Sequence, residues 1–349
     1  MGVIMVYGAN GYSGQLAALH AQDRGIQAII AGRSANSIDA VAQKTGFPTR
    51  IFALDDHATI VRNLSGVSVV LNCAGPFSRT AIPLVNACRE AGVHYVDITG
   101  EIEIIEALQQ RDEEFKAAGI TVIPACGFDV VPTDCTARRL AERMPDAVSL
   151  ELAFMSSGGL SHGTATTMIS KLGSAGQVRK DGAITEEAIA HRVQEVDFDG
   201  ATSACISIPW GDVASAWYTT KIPNIVTYIA VPARTATLLN RTAPLSRFLA
   251  GKPVRAIAQR YVDARISGPS EQARARGRSH VWGRVTNANG ESLESVLHTC
   301  EAYHLTALTS VDIAARIQAG QVAPGAYTPA GALGADYITN FEGSSFVDR

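Results

Sequence analysis

The sequence predicts an α/β fold in which a doubly wound parallel sheet is followed by a second, mixed α/β domain. Six short apolar runs alternate with amphipathic helical segments between residues 3 and 124, as in successive β-α-β units. After residue 147 apolar and polar residues begin to alternate, as in half-exposed strands. With 349 residues the chain is also longer than one hydrophobic core usually supports, which favours two domains.

The parallel sheet is predicted strand by strand from the apolar runs. These lie at residues 3–7, 28–31, 50–54, 67–72, 95–97 and 121–124, and the helical segments between them end near residues 25, 46, 64, 91 and 118. Continuous apolar runs are typical of strands buried on both faces. Because crossovers in such sheets are right-handed, the carboxyl ends of all six strands meet at one edge, where ligands bind in this fold class.

The stretch GANGYSG, from Gly8 to Gly14, occupies the turn between the first strand and the first helix. Gly8 permits the tight turn, Gly11 lets phosphates approach the backbone, and Gly14 lets the helix pack closely on the sheet. Free amide groups at the helix N-terminus then meet the phosphate charge. The stretch therefore predicts a dinucleotide-binding Rossmann domain. The alternative is a structural turn that holds no ligand.

The ends of the next strands indicate which dinucleotide binds. Where NAD-binding domains carry an acidic residue, this chain has Arg33 and Ser34, whose guanidinium and hydroxyl groups suit the 2′-phosphate of NADP. Asp55 and Asp56 follow the third strand, at the place expected for contacts with the adenine. The fourth strand ends in the small residues 73–76, which let the chain run beside the ribose and the nicotinamide.

Four segments within residues 1–135 together resemble the saccharopine dehydrogenase-like oxidoreductases, in the branch of the trans-acting enoyl reductases and the vertebrate saccharopine dehydrogenase-like protein. In order, they are GANGYSG, AGRS, NCAGPFSRTAIPLVNACREAGVHYVDITGE and PACGFDVVPTD. The resemblance implies NADP as cofactor and a second domain that shapes the substrate site and mediates dimerisation. It assigns cofactor contacts to residues of three of the segments: Gly8, Asn10, Gly11, Tyr12, Ser13, Gly14, Arg33, Ser34, Cys73, Ala74, Gly75 and Pro76.

We expect the chain to have three parts: the NADP-binding Rossmann domain (1–135), the mixed α/β substrate and dimerisation domain (136–310), and a C-terminal helical segment (311–349) that packs back on the first domain. The chain departs from the family in two ways. It is shorter than many members, and it lacks an identifiable arginine-rich clamp for a dicarboxylate amino acid. Saccharopine dehydrogenase activity itself is therefore not expected.

The second half predicts strands at residues 148–155, 204–208, 216–220 and 227–231, and a hairpin of residues 281–286 and 291–297 around the turn NANG. A helix is predicted over 164–172, after a stretch rich in glycine, serine and histidine whose helix N-terminus suits an anionic group. The alternative interpretation of this stretch is an ordinary capped helix start that binds no anion. Another helix is predicted over 302–319, and the tail TPAGALGADYITNF is expected to begin one more.

Composition excludes several function classes. The net charge is −3, and the densest basic stretch, residues 274–280, is short and is interpreted as a solvated surface, so nucleic-acid binding is not expected. The six cysteines form no C-x-x-C pair and the histidines no H-E-x-x-H motif, so no metal site is expected. No secretory signal and no integral membrane segment are predicted, and we expect a cytoplasmic protein.

Hydride transfer to or from a nicotinamide needs a positioned substrate and a group that handles a proton. The Tyr-x-x-x-Lys pair of short-chain dehydrogenases is absent. The candidates are Tyr95, Asp97 and Glu101 after the fifth strand, Asp129 after the sixth, and His162, with Lys171, in the second half. For Asp97, Glu101 and Asp129 the alternative is hydrogen bonding within loops and helix starts. The Cys73 thiol is interpreted as a core thiol rather than a nucleophile.

These observations predict an NADP(H)-dependent oxidoreductase, and first of all a reductase of a C=C, C=N or C=O bond in a small or lipid-derived substrate. One alternative is an NADP-dependent dehydrogenase of an amino acid or amine. Another is a non-catalytic NADP(H) sensor or interaction protein. A homodimer is expected from the family resemblance, and the substrate is expected to be a small molecule, in the family's branch an acyl or lipid-derived one.

Overall fold

The computed structural model describes residues 2–157, 161, 163, 165, 166, 169, 176–242, 252–265 and 268–349. Contacts between Cα atoms divide the chain into two compact units. The first consists of Met1–Val131 and Tyr303–Ala332, and the second of Pro132–Ala302 and Leu333–Arg349. Each unit is built around its own sheet.

Up to residue 143, strands and helices alternate: β1 (Val3–Tyr7), α1 (Tyr12–Asp23), β2 (Ala28–Gly32), α2 (Ala35–Thr45), β3 (Thr49–Ile51), α3 (His57–Asn63), β4 (Val67–Asn72), α4 (Phe77–Ala91), β5 (His94–Asp97), α5 (Ile102–Gln109), α6 (Asp112–Ala117), β6 (Thr121–Ile123) and α7 (Val131–Arg143). The later elements are β7 (Ala147–Ser156), β8 (Gly176–Lys180), β9 (Ala183–Glu187), β10 (Val193–Asp197), β11 (Thr202–Ile208), α8 (Asp212–Thr220), β12 (Asn224–Val231), α9 (Ala233–Thr242), α10 (Lys252–Arg265), α11 (Glu271–Arg276), β13 (Arg278–Asn287), β14 (Ser292–Cys300), α12 (Ala302–Gln318), β15 (Gly325–Ala326), α13 (Pro329–Leu333) and β16 (Ser345–Asp348).

The first sheet is parallel throughout, with the strand order β15-β6-β5-β4-β1-β2-β3. Its order from β3 to β6 is that of a doubly wound dinucleotide-binding fold, which confirms the predicted fold class. Tyr7 pairs in register with Asn72, and Asn72 with Asp97, so the carboxyl ends of three neighbouring strands lie level. The ligand-binding edge expected from the sequence is therefore formed.

The core of the first unit lies between this sheet and its helices. Met5, Val70 and Tyr95 from the strands are buried together with Leu84 of α4 and Phe115 of α6. The apolar period of α4 places Leu84 on the same side of the helix as Ala81, Val85 and Cys88, which is why this segment folds as an amphipathic helix against the sheet.

One helix predicted over residues 104–118 is two helices, α5 and α6. The second begins with three acidic residues in its first turn, where negative charge stabilises a helix N-terminus. Asp112 also accepts the backbone N–H of Ala326 at 2.8 Å, which ties the start of α6 to β15. These interactions, one local and one with a distant part of the chain, favour a new helix start over continuation of the first.

The second sheet has the order β10-β11-β12-β7-β13-β14-β16, and β8 adds to it by pairing with β12 and β9. Its strands are antiparallel except for the parallel pair β7 and β12. On one face, Leu150 and Ile225 pack against Leu140 of α7 and Ala216 of α8. The mixed α/β character of this part is as predicted.

The predictions about the second half were wrong at one element and incomplete at others. Residues 216–220, predicted as a strand, form the end of α8. Their Trp, Tyr and Thr residues favour strands locally, but burial of Val213, Ala214 and Ala216 along a helix outweighs that preference. Strands β8, β9 and β10 were not predicted, because their mostly polar sequences lack a clear alternation.

The tail begins as predicted with the short helix α13, continues as a 3-10 helix at Ala335–Asn340, and ends in the strand β16. Asp348 of this strand pairs with Arg139 and Arg143 of α7. No helix among the residues described has both the length and the apolar character that crossing a bilayer requires.

Candidate functional site

The glycine loop joins β1 to α1 and packs against the end of β4. Gly8 has a φ of +81°, and a Cβ there would lie 2.8 Å from the backbone N of Ala74. A Cβ at Gly14 would lie 2.3 Å from the carbonyl oxygen of Gly8. These two glycines are therefore required by close packing of the loop itself.

Gly11 differs from the other two glycines of the loop. Its backbone is extended, with φ −73° and ψ 163°, and a Cβ would approach the Gly8 carbonyl oxygen only to 3.3 Å. It precedes α1 in the capping position, where it offers no side chain to the first-turn amides. Internal packing thus explains Gly8 and Gly14 fully, whereas Gly11 leaves the helix N-terminus accessible to an anion.

The other residues of the loop have distinct surroundings. Asn10 is exposed, and its Oδ1 would lie 3.3 Å from a Cβ at Gly32, so its side chain reaches the end of β2. The Tyr12 ring packs edge-on against the Tyr303 ring, with 5.0 Å between centroids. Ser13, like Tyr12, is half-buried in the first turn of α1.

Arg33 and Ser34 follow β2 and are both exposed. Ser34 is the capping residue of α2, and its Oγ lies 3.1 Å from the Oγ of Ser37. Arg33 and Asp55 both act electrostatically on Tyr7, whose pKa is raised to about 12, mainly by burial. The structure thus brings an exposed guanidinium and an exposed carboxylate close to the end of β1.

The two aspartates predicted to flank the adenine have different environments. Asp56 caps α3: its carboxylate accepts the backbone N–H of Thr59 at 3.0 Å and also the Thr59 hydroxyl. These hydrogen bonds lower the pKa of Asp56. Asp55 is exposed, and its charge contributes to raising the pKa of Tyr7. A side-chain contact with a nucleotide is therefore easier to assign to Asp55.

The segment after β4 runs beside the glycine loop. The Cys73 N–H donates to the Tyr7 carbonyl at 2.8 Å, and the Ala74 N–H to Oδ1 of Asn72 at 3.0 Å. The peptide bond between Gly75 and Pro76 is cis. Burial, followed by the charge of Asp97, raises the pKa of Cys73 to about 12, so its thiol stays protonated and is a poor nucleophile.

A buried hydrogen-bond network joins the ends of β4, β5 and β6. The Tyr95 hydroxyl donates to Asp97 at 2.9 Å and accepts from the Asn72 amide at 3.0 Å. The other oxygen of Asp97 accepts the backbone N–H groups of Thr99 at 3.0 Å and Ala125 at 2.9 Å. Desolvation nevertheless raises the pKa of Asp97 to about 6. No role was predicted from the sequence for Asn72, although a polar residue at the end of a mostly apolar strand indicates the edge where ligands bind.

Glu101 holds the start of α4. Its two carboxylate oxygens accept the backbone N–H groups of Phe77 at 2.8 Å and Ser78 at 2.9 Å. Its own N–H donates to the Thr99 hydroxyl at 3.0 Å. A carboxylate at a helix N-terminus is stabilised by both the amides and the helix dipole. These contacts, like those of Asp97, are the loop and helix-start hydrogen bonds expected as the alternative to catalysis.

Asp129 lies eight residues after the start of β6, on the segment that leaves the carboxyl edge, and is partly exposed. Its carboxylate packs on the loop after β5, since a Cβ at Gly100 would lie 2.8 Å from Oδ2. Burial raises its pKa to about 6, so the acid form is populated near neutral pH. His162 and Lys171 lie outside the described residues.

The structure thus gathers at one sheet edge an accessible helix N-terminus, a guanidinium, and a carboxyl group with a pKa near neutrality. Such an edge can bind a phosphorylated dinucleotide and exchange a proton with a substrate. In the described part of the chain, no three histidine, cysteine or acidic side chains gather as a metal-binding group.

Comparison with known proteins bears directly on this edge. Residues 4–123 match the family described as Saccharopine dehydrogenase NADP binding domain, which spans all strands of the first sheet except β15. The match confirms the predicted family resemblance over these residues and confirms NADP as the cofactor class. The cofactor-contact residues inferred one by one stay predictions.

Curated relatives match over a similar part of the chain. The trans-acting enoyl reductase of Mycobacterium ulcerans (strain Agy99) is 34% identical over 158 residues, which is 43% of this chain and 38% of that protein. The trans-acting enoyl reductase of Mycobacterium leprae (strain TN) is 32% identical over 149 residues, 40% of this chain and 36% of that protein. The chain thus spans less than two fifths of the length of these relatives.

The fold as a whole matches a solved structure. Apo histidine-tagged saccharopine dehydrogenase (L-Glu forming) from Saccharomyces cerevisiae superposes with a TM-score of 0.67 and 11% identity, covering 100% of both chains. At this identity the similarity concerns the fold alone. It supports a Rossmann-like first sheet followed by a mixed second sheet.

Proposed function

We propose that this chain is an NADP(H)-dependent reductase of a C=C, C=N or C=O bond in a small or lipid-derived substrate, with an enoyl C=C bond as the first candidate. One observation carries the proposal. A segment that matches the NADP-binding domain family also has a helix N-terminus without a side-chain cap at Gly11 and an exposed guanidinium at Arg33, and both features support cofactor binding there. The names of the curated relatives support reduction of an enoyl group.

The residues present fit the cofactor. The first-turn amides of α1 would meet the pyrophosphate, Arg33 and Ser34 the 2′-phosphate, and Asp55 the adenosine. The segment from Cys73 to Pro76 would line the nicotinamide end. When bound, NADPH supplies the hydride. The protein must then orient the acceptor and deliver a proton.

Among the described carboxylates after β5 and β6, Asp129 is the one we propose as the proton donor. The Asp97 and Glu101 carboxylates accept backbone N–H groups that hold the loop and α4, so we assign them a positioning role, and Tyr95 likewise through Asp97. Asp129 is partly exposed, and its pKa of about 6 lets the acid form donate near neutral pH.

The test begins with fluorescence titration of the purified chain with NADPH and NADH. A panel follows: 2-enoyl thioesters of increasing acyl length, keto thioesters, and saccharopine as a dicarboxylate control, with NADPH oxidation monitored. We expect saturable NADPH binding and turnover of an enoyl thioester. Lack of saturable binding of either nucleotide would overturn the proposal.

Asp129→Asn separates the proton donor from the rest of the site. The variant should bind NADPH as the wild type does but lose about a hundredfold or more in kcat. The wild-type rate should fall as pH rises above about 6, as the donor loses its proton. Unchanged kcat with an unchanged pH profile would assign the proton to another group. NADPH binding without turnover across the panel would favour the sensor.

A further inference from the structure

Positive charge is concentrated in one segment of the second unit. Between positions 234 and 278 the sequence has ten arginine or lysine residues and two acidic residues, a surplus of eight positive charges. The whole chain has a net charge of −3, so the remaining residues together carry −11. The expectation that residues 274–280 are merely a short solvated stretch missed this longer segment, because its charges are spaced two to nine positions apart.

Many arginines outside this segment have a carboxylate partner. Arg89, Arg139 and Arg284, for example, each lie within ion-pair distance of a carboxylate. Four exposed arginines of the segment have no carboxylate that close among the residues described: Arg234, Arg260, Arg265 and Arg276. Unpaired exposed cations produce a positive potential that extends about 10 Å into solvent at moderate salt.

Large apolar side chains are exposed in the same segment. Leu238 of α9 is 62% exposed and Tyr261 of α10 is 64% exposed, more than the other exposed apolar side chains of the described residues. Arg234 precedes Leu238 by four residues, and Arg265 follows Tyr261 by four, so each apolar side chain has an arginine one helical turn away on the same face. On the opposite side of α9, Ala236 packs against Ile206 of β11, so Arg234 and Leu238 point away from the sheet.

We propose that the helices α9, α10 and α11 bind an anionic lipid bilayer. Clustered arginines are attracted to acidic headgroups. Exposed apolar side chains of helices that lie at a bilayer surface enter the boundary with the acyl chains. A surface that binds a specific protein usually carries charges of both signs that complement those of the partner. This segment is almost uniformly positive, which complements the uniformly negative surface of an acidic bilayer. The inference does not depend on the proposed reductase activity.

The experiment is sedimentation of the full chain with vesicles at about 0.1 M salt. One set is pure phosphatidylcholine and the other has about one third phosphatidylserine. We expect at least about tenfold tighter binding to the acidic vesicles, and loss of that preference near 1 M salt. Equal binding to both sets, or no binding to either, overturns the proposal.

Two matched variants locate the surface. Arg234→Gln, Arg260→Gln, Arg265→Gln and Arg276→Gln combined should weaken binding to acidic vesicles by about a hundredfold or more, at about fivefold per charge. The control removes four arginines elsewhere, of which Arg138 is half-buried and the others exposed, by Arg24→Gln, Arg62→Gln, Arg89→Gln and Arg138→Gln, for the same change in net charge. An equal loss in the control would attribute binding to overall charge and overturn the proposal.

A third variant, Leu238→Ser with Tyr261→Ser, keeps every charge. It should lose about tenfold on acidic vesicles because insertion is lost, while circular dichroism verifies that all variants are folded. Unchanged vesicle binding would contradict insertion of these helices. If the chain binds poly-glutamate more tightly than vesicles, and Leu238→Ser with Tyr261→Ser leaves that binding unchanged, the partner is an acidic protein instead. If the chain self-associates and the four-arginine variant abolishes this, the partner is a second copy of the chain. Either result overturns the proposal of a bilayer as the partner.

Discussion

Glu101 accepts the backbone N–H of Phe77 at 2.8 Å, across 24 residues of sequence. With the adjacent bond from Ser78 at 2.9 Å, this contact fixes the start of α4 directly after the segment predicted to line the nicotinamide. A residue of the loop after β5 thereby determines where the chain after β4 begins its helix. Glu101 is therefore a positioning residue, and we expect its substitution to alter both the stability of the fold and the binding of the cofactor.

Glu101→Gln should lower the free energy of unfolding by about 1–2 kcal/mol, because a neutral amide keeps one acceptor oxygen and loses the charge at the helix N-terminus. The Kd for NADPH should rise a few-fold as the segment before α4 loosens. Urea unfolding and fluorescence titration measure the two effects. The control is Glu103→Gln, which removes an exposed carboxylate from the first turn of α5. If this control changes the free energy of unfolding by more than about 0.5 kcal/mol, the effect comes from loss of any negative charge here and not from the Glu101 hydrogen bonds.

Arg33→Asp should weaken NADPH binding by at least about tenfold, because it replaces a cation facing the 2′-phosphate by an anion. NADH, which lacks this phosphate, should bind within about threefold of the wild-type affinity. Lys44→Asp makes the same charge change in the last turn of α2 and should leave the preference between the nucleotides intact. If both nucleotides lose affinity equally in Arg33→Asp, the guanidinium does not contact the 2′-phosphate.

Gly11→Ala and Gly14→Ala should separate cofactor binding from folding. A methyl group at Gly14 would collide with the Gly8 carbonyl, so we expect a loss of several kcal/mol in stability. At Gly11 the backbone is extended and the nearest atom is 3.3 Å away, so the apo protein should unfold within about 1 kcal/mol of the wild type. NADPH and NADH should both bind at least about tenfold more weakly. Unaltered nucleotide affinity in Gly11→Ala would contradict the phosphate cradle.

Asp97 should make the native state less stable as pH rises from about 4 to about 6. Its pKa is about 6 in the folded chain and near 4 when unfolded, so the native state binds more protons in this window. The difference in unfolding free energy between wild type and Asp97→Asn should therefore fall by about 2 kcal/mol across it and stay level above. Chemical denaturation at intervals of half a pH unit measures the slope. A difference that rises with pH would mean that hydrogen bonding outweighs desolvation at Asp97.

The first sheet was predictable because its evidence is local. Each strand is a short apolar run followed by a turn or a polar cluster, and right-handed crossovers place the strand ends at one edge. The glycine spacing and Arg33 indicate a phosphorylated dinucleotide without knowledge of any distant contact. In the second half, residues 216–220 have a local preference for strand, but burial of this segment as a helix outweighs it. Strands β8 to β10 were not predicted because they lack an apolar period.

The sequence by itself determined the order of strands and helices in the Rossmann part, the class of cofactor, and a shortlist of carboxylates at the sheet edge. Only the tertiary structure decided what each carboxylate does. In the sequence, Asp97, Glu101 and Asp129 are three equivalent acidic residues after neighbouring strands. In the structure, Asp97 accepts the backbone N–H of Ala125 after β6, and Glu101 accepts that of Phe77 in α4. Burial raises the pKa of Asp129 to about 6. Local patterns encode which side chains are present, but hydrogen-bond partners and desolvation depend on residues far apart in the chain.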